Sequence, residues 1–76
     1  MFLKRLEDLR VDADKSLEDI AKILNCQREV YRRYEKGIYE LPLWALKKLA
    51  EYYDTSADYI IGRVDNPLPY RKWLEK

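Results

Sequence analysis

The apolar residues of this chain recur at intervals of three and four, the spacing that places side chains on one face of an α-helix. Leu46, Leu49, Ala50 and Tyr53 are one such set. No stretch shows the alternation of apolar and polar residues that is typical of an amphipathic strand. The pattern predicts an all-α protein with five short helices, over residues 2–11, 17–24, 28–36, 43–53 and 57–61.

Residues that begin and end helices stand between these apolar segments. Ser16 is followed three residues later by Asp19, an acidic variant of the capping box that starts a helix. Asn25 suits the turn after the second helix, because Asn tolerates the left-handed backbone conformation. Gly37 is placed to end the third helix and Ser56 to cap the fifth. The helix boundaries are therefore predicted by local chemistry as well as by periodicity.

The C-terminal segment differs from the rest of the chain. Its two prolines resist helix formation, so we predict an extended tail over residues 64–76. Tyr70, Trp73 and Leu74 share helical spacing and allow one short turn near the end. We therefore divide the chain into a compact domain over residues 1–63 and this tail.

The predicted third helix has two unlike faces. Val30, Tyr31 and Tyr34 lie within an arc of about 100° on a helical wheel, so we expect them to pack on the core. The charged residues of the helix are four cations and two anions, Arg28, Glu29, Arg32, Arg33, Glu35 and Lys36. We expect all six to point outward. Taken alone, such a helix is typical of a solvated surface, and its context decides whether it has a further role.

The charge composition restricts the partners of this chain. Charged residues make up 38% of the 76 residues, against about 25% in an average globular chain. Fifteen Lys and Arg residues and fourteen Asp and Glu residues give a net charge of only +1, which excludes a uniformly basic nucleic-acid clamp. Residues 27–47 nevertheless carry a net charge of +2. The positive excess is therefore local to the third helix and the segment that follows it.

The residue types that are missing exclude several classes of protein. Without histidine, neither a Ser-His-Asp nor a Cys-His nucleophile pair can be built. The single cysteine, Cys26, can form no intrachain disulfide or zinc site, and we interpret it as a small apolar residue of the turn. No apolar run approaches the ~18 residues of a membrane span, and no signal peptide follows Met1. We expect a cytoplasmic protein that is not an enzyme and has no metal or other cofactor.

The second and third helices together resemble the helix-turn-helix of the lambda-repressor/Cro-like (XRE-type) family. In that pattern Ala21 is the small residue where the two helices cross, and Tyr31 and Tyr34 are buried positions. The resemblance covers roughly residues 3–64. The segments that carry it are Ser16-Leu17-Glu18-Asp19-Ile20-Ala21, Asn25, Tyr31, Tyr34-Glu35-Lys36-Gly37, Leu41-Pro42-Leu43, Lys48-Leu49-Ala50 and residues 56–62.

The resemblance implies a compact, five-helix lambda-repressor-like domain that places helix 28–36 in the major groove of double-stranded DNA. Arginine can contact guanine O6 and N7 together, and glutamate can accept a hydrogen bond from cytosine N4. The base-reading residues that it implies are Gln27, Arg28, Glu29 and Arg33. The residues that it implies for the DNA backbone are Arg10, Arg32, Lys36, Tyr39, Trp44 and Lys47.

Two acidic residues of this helix have more than one interpretation. Glu29 either reads a cytosine or orients Arg28 or Arg33, and an acid in the first turn is also favoured by the helix dipole. Glu35 matches a family position that pairs with Arg10, so we interpret these two residues as structural.

Leu17 and Trp44 also leave alternatives open. Leu17 stands where the family often has a glutamine that contacts the phosphate backbone. It either places an apolar group near the DNA or enlarges the core, and we interpret it as a core residue. Trp44 either packs on a deoxyribose or lies under the loop that contains Tyr39.

We expect a transcriptional regulator, in the first instance a repressor, that binds a palindromic operator as a homodimer with its recognition helices about 34 Å apart. We expect the fifth helix and the tail to form the dimer contact. The alternative is that the tail packs on its own domain or leads to a further domain. The rival function is an antitoxin or antirepressor that uses this fold to bind a second protein. The residues nominated for the dimer interface are Tyr59, Ile61, Leu68, Tyr70, Trp73 and Leu74.

Overall fold

The computed structural model describes residues 3–73, apart from the side chains of Arg71 and Trp73. The helices are α1 (Lys4–Asp12), α2 (Leu17–Ile23), α3 (Arg28–Glu35), α4 (Leu43–Tyr52), α5 (Ala57–Ile60) and a final turn, α6 (Tyr70–Trp73). No strand occurs within residues 3–73, which confirms the all-α prediction. The five predicted helices agree with α1–α5 to within two residues at each end. The predicted start of the first helix at Phe2 lies outside the described residues.

The hydrophobic core lies where α1 to α5 converge. Helix α3 packs mainly on α2, while α1 contacts both α3 and α5. Burying a side chain the size of leucine contributes about 1.5–3 kcal/mol, so this small set of residues holds the helices together. The buried apolar residues are Leu3, Leu6, Ile20, Ala21, Leu24, Tyr31, Ala45, Leu49, Ala50 and Ile60.

The predicted helix caps are present. The backbone N–H of Asp19 donates to Ser16 Oγ at 3.1 Å, and the N–H of Ser16 donates to Asp19 Oδ2 at 3.0 Å. Ser56 Oγ accepts from the N–H of Tyr59 at 3.0 Å and caps α5. Gly37 has a φ of 77° just after α3, a conformation that glycine adopts without steric cost. These local signals fix where the helices begin and end.

Glu35 lies inside the protein, and the prediction that it points outward is wrong. Its side chain is only 1% exposed. Arg10 is the reason: Nε donates to Glu35 Oε2 and Nη2 donates to Oε1, both at 3.0 Å. Arg10 Nη1 also donates to the carbonyl of Lys15 at 3.1 Å. Two parallel, charge-assisted hydrogen bonds compensate the carboxylate for the loss of water. The pairing of Arg10 with Glu35 is confirmed.

Two tyrosine hydroxyls are buried near this ion pair. Among the described residues, neither the Tyr31 nor the Tyr53 hydroxyl has a hydrogen-bond partner. Burial is the main cause that raises the pKa of both phenols, and the nearby Glu35 carboxylate raises it further. Both therefore stay protonated in the folded protein, and the stability linked to them decreases only as the pH rises above the ordinary tyrosine value near 10.

The described part of the predicted tail contacts the domain. Arg5 joins it to α1, because Nη1 donates to the carbonyl of Val64 and Nη2 to Asp65 Oδ1 at 2.6 Å. Thr55 Oγ1 donates to the carbonyl of Pro67. Packing of the tail on its own domain is one of the alternatives that the sequence left open, although the sequence did not indicate these partners. The division of the chain at residue 63 stays a prediction.

Removing one partner of the buried ion pair should destabilise the fold severely. In Arg10→Met the Glu35 carboxylate stays buried without its partner, and the expected loss is about 3–5 kcal/mol in the free energy of unfolding. The double variant Arg10→Met/Glu35→Leu should recover most of this loss. Urea denaturation followed by circular dichroism measures both. The control Lys4→Met breaks only an exposed ion pair with Asp8. If Arg10→Met unfolds like that control, the ion pair is not structural.

Candidate nucleic-acid interface

Helices α2 and α3 are joined by a tight turn. Asn25 has a φ of 56°, as its place in the sequence predicted. The N–H of Cys26 donates to the carbonyl of Ala21 at 2.9 Å, which closes the turn on α2. Ala21 is 1% exposed and Tyr31 fully buried, so α3 is packed against α2 along its apolar face. This packing fixes which side of α3 reaches solvent.

Glu29 organises the charged side of α3. Its carboxylate accepts two hydrogen bonds from Arg32, from Nε at 2.7 Å and from Nη2 at 2.9 Å. It also accepts one from Arg33 Nε at 3.3 Å. Of the two arginines that Glu29 was expected to orient, it contacts Arg33 and not Arg28. The hydrogen bonds from Arg32 are the main cause that lowers the pKa of Glu29 to about 2.

Tyr39, in the loop between α3 and α4, contacts a different nitrogen of the Arg33 guanidinium from the one that donates to Glu29. Arg33 Nη1 donates to the Tyr39 hydroxyl at 2.6 Å, and the guanidinium carbon lies 5.2 Å from the ring centroid. The loop is tied to α3, since the N–H groups of Ile38 and Tyr39 both donate to the carbonyl of Arg33, at 2.9 and 3.1 Å. Sequence reasoning missed this contact, because it depends on the loop conformation.

The other two predicted base readers stand at the start of α3. Gln27 is the N-cap residue and Arg28 the first helical residue, and both are exposed. Within the described part of the chain, the Arg28 guanidinium forms no hydrogen bond or ion pair. The structure therefore brings Arg28, Glu29 and Arg33 to one solvent-facing side of α3, with Gln27 at its N-terminus.

The residues predicted to contact the DNA backbone have different environments. Lys36 Nζ donates to Glu7 Oε2 at 2.9 Å. The Arg10 side chain is only 15% exposed and pairs with the buried Glu35. These contacts give Arg10 a structural role. Trp44, at the start of α4, is 54% exposed. Lys47, one turn further along α4, is also exposed.

A family model for the helix-turn-helix matches residues 6–60 of this chain. The chain belongs to the helix-turn-helix family. The resemblance seen in the sequence is thereby confirmed, and the assignment of α2 and α3 as the two motif helices stays a prediction. No solved structure gives a significant match.

Three bacterial and phage regulators are similar to this helix-turn-helix chain. It is 36% identical over its full length to the uncharacterised helix-turn-helix-type transcriptional regulator YobD of Bacillus subtilis, of which the match covers 73%. It is 38% identical to the regulator AnsR of the same species, over 83% of this chain and 54% of AnsR. It is 36% identical to the cryptic phage CTXphi transcriptional repressor RstR of Vibrio cholerae, over 70% of this chain and 48% of RstR. The chain thus spans about half the length of the last two.

Two residues of the helix-turn-helix support its packing. Leu17 is half-buried against the core, in agreement with its interpretation as a core residue. Cys26 is also half-buried, and burial raises the pKa of its thiol. The thiol is therefore protonated at neutral pH and a weak nucleophile.

The residues nominated for a dimer interface lie around α5 and the tail. Tyr59 is half-buried, and the Arg5 guanidinium carbon lies 4.4 Å from the centroid of its ring. Ile61 is half-buried. Leu68 and Tyr70 are each 46% exposed, and the Tyr70 hydroxyl donates to Asp58. Trp73 ends α6, and its side chain, like the whole of Leu74, lies outside the described part.

Residues 3–73 contain no group of three acidic or cysteine side chains that could hold a metal ion. None of the helices in that range is long and apolar enough to cross a membrane.

The carboxylate of Glu29 should titrate far below an ordinary glutamate. Because its lowered pKa comes from hydrogen bonds that are stronger to the ionised form, protonation should weaken them as the pH falls toward about 2. At neutral pH the contacts to Arg32 and Arg33 should be complete. Carbon-detected NMR titration of the side-chain carboxylates measures this. In Arg32→Met the midpoint should rise toward the ordinary glutamate value, and an unchanged midpoint would contradict the geometry.

Proposed function

We propose that this chain is a sequence-specific, double-stranded DNA-binding transcriptional regulator that inserts α3 into the major groove. The observation that carries the proposal is the division of α3 into two sides. Tyr31 and Glu35 anchor the inner side. The outer side presents Arg28 at the helix start, where this motif contacts base edges, and Arg32 and Arg33 in the last turn. The proposal includes no enzyme activity and no cofactor.

The base-reading residues that we propose are Gln27, Arg28, Glu29 and Arg33. Arg28 is exposed and forms no hydrogen bond or ion pair with another described residue, so its guanidinium is available for guanine O6 and N7. Arg33 is held between Glu29 and the Tyr39 hydroxyl, which limits its rotamers before DNA binds. We assign Glu29 chiefly to orienting Arg32 and Arg33, because its carboxylate accepts hydrogen bonds from both arginines.

The phosphate contacts that we propose come from both ends of the loop between α3 and α4. Lys36 follows the reading residues, and Trp44 and Lys47 lie in the first half of α4, where both are exposed. Arg32 would contribute only where it leaves Glu29. Unpaired N–H groups at a helix N-terminus also favour phosphate. Each contact adds affinity that depends on salt and not on sequence.

The active form that we propose is a homodimer on a palindromic operator. Two symmetric copies would place their recognition helices in successive major grooves, about 34 Å apart. The apolar residues around α5 and the tail are the proposed contact, and Leu68 supports this assignment because it is 46% exposed.

The relatives support regulation of transcription, and one of them, RstR, supports repression in particular. A repressor that acts by occupying its operator has to be in the same compartment as the DNA, so we propose a cytoplasmic location.

Selection of bound sequences from a random pool of duplexes tests the proposal, followed by fluorescence anisotropy on the selected duplex and on a scrambled one. We expect enrichment of a palindrome and tighter binding of the selected duplex. Absence of DNA affinity at low salt would reject the proposal. Co-purification with a second small protein would then favour the antitoxin or antirepressor function.

Two substitutions should separate base reading from phosphate binding. Arg33→Ala should weaken binding to the selected duplex by about 10- to 100-fold and relax the preference at one base pair. Lys36→Ala should weaken binding to all sequences about equally and lower the slope of log K against log salt by about 0.9. Anisotropy titrations over a range of salt concentrations measure both effects. Lys4→Ala, on α1, is the control and should change neither.

The tail should contribute to dimerisation. In Leu68→Glu a charge replaces an exposed apolar side chain, so we expect more monomer in analytical ultracentrifugation and weaker operator binding. The control Val11→Glu changes another exposed apolar residue, 59% exposed, on α1. Equal sedimentation of the two variants and of the unchanged protein would reject the tail as the dimer contact.

A further inference from the structure

One exposed carboxylate reduces the positive charge on the solvent-facing side of α3. The helix carries three arginines, and Glu29 accepts hydrogen bonds from two of them, Arg32 and Arg33. Arg32 uses both Nε and Nη2 on this one carboxylate. We call Glu29, Arg32 and Arg33 the Glu29 network. It leaves Arg28 as the arginine of α3 that forms no ion pair with a described residue.

The Glu29 network lies on the side of α3 that would face DNA. The side chain of Glu29 is 48% exposed, and those of Arg32 and Arg33 are 36% and 39% exposed. Two arginines and one carboxylate give the Glu29 network a net charge of +1 instead of +2, so the network offers a phosphate less positive charge than the arginines alone would. The carboxylate itself repels the phosphate backbone, because like charges at close range disfavour a complex. The network therefore weakens the interaction of α3 with any phosphate backbone.

We propose that Glu29 is a specificity-determining residue, which weakens binding to non-operator DNA by holding Arg32 and Arg33 in the Glu29 network. This inference rests on the proposed function. On non-operator DNA, Arg32 and Arg33 can contact phosphates only if they break their hydrogen bonds to Glu29. The Glu29 carboxylate then lies without a partner near the phosphates. On an operator, the base edges offer a guanine to Arg33, and this contact compensates for the broken hydrogen bond. Discrimination between sequences thus increases although overall affinity does not.

Tyr39 is a second restraint on the same arginine. Its hydroxyl accepts from Arg33 Nη1 at 2.6 Å, while Arg33 Nε contacts Glu29 at 3.3 Å. The guanidinium is thereby held at two of its donors, between α3 and the loop. Tyr39 also packs edge-on against Tyr34 of α3, with ring centroids 6.2 Å apart, so the helix itself supports the position of Tyr39. Loss of the hydroxyl alone should loosen Arg33 and leave Arg32 in place.

The test compares binding to the selected duplex and to a scrambled duplex as a function of salt. In Glu29→Gln, Arg32 and Arg33 can each reach a phosphate. Two added contacts would steepen the slope of log K against log salt by up to about 1.8, and each contact is worth about fivefold in affinity near 0.15 M salt. We therefore expect the scrambled duplex to bind about 5- to 30-fold more tightly. The selected duplex should gain less, so the ratio of the two affinities should decrease.

The matched control is Asp8→Asn. It also raises the net charge by one and breaks an exposed ion pair of one helix, between Lys4 and Asp8 at 2.6 Å, but on α1. We expect it to change the slope and the affinity ratio much less than Glu29→Gln does. If the two variants behave alike, net charge explains the effect and the inference is wrong.

The outcomes separate this inference from the proposed function. If the unchanged protein shows no preference for any duplex, the proposed function fails, and with it the role of Glu29 on DNA. If the unchanged protein discriminates and Glu29→Gln discriminates equally well, only the inference fails. Tyr39→Phe gives a further readout: the Nε–H signal of Arg33 in NMR should broaden or shift while that of Arg32 stays unchanged. An unchanged Arg33 signal would reject Tyr39 as its restraint.

Discussion

The bidentate ion pair between Arg10 and Glu35 is the constraint on which the position of α3 depends. It joins α1 to the last residue of α3, in an environment where the carboxylate is 1% exposed. A buried charge is tolerated only with its partner in place, so α3 cannot turn about its axis without a large cost in free energy. Tyr31 fixes the same helix from its apolar side. The direction in which Arg28 and Arg33 point is therefore a property of the folded core.

The second constraint is electrostatic. With a net charge of +1, the chain has little general attraction for a polyanion, and two of the three arginines of α3 share one carboxylate. Such a protein depends on the geometry of a few donors more than on total charge. The contacts of Glu29 and Tyr39 to Arg33 supply that geometry in the described structure, because they hold the guanidinium before any partner arrives.

Features with local causes could be predicted from the sequence, and features that need distant residues could not. The cap at Ser16, the turn at Asn25 and the stop at Gly37 follow from neighbours within four residues. The burial of Glu35 contradicts the helical wheel, since a wheel contains no Arg10; only the family resemblance supplied this partner. Arg33 and Tyr39 meet because a loop folds back on α3, and no periodicity describes a loop.

The separation between the two sides of α3 has an evolutionary consequence. Residues that support the helix, such as Tyr31 and Glu35, are buried, while those proposed to read bases lie in solvent and contribute little to the core. Mutations at Arg28 or Gln27 can therefore accumulate in a gene lineage without unfolding the domain. Duplicated copies of such a gene can diverge toward new binding sites on an unchanged scaffold. Changes in the few codons that encode these solvent-exposed residues are enough to alter the preference.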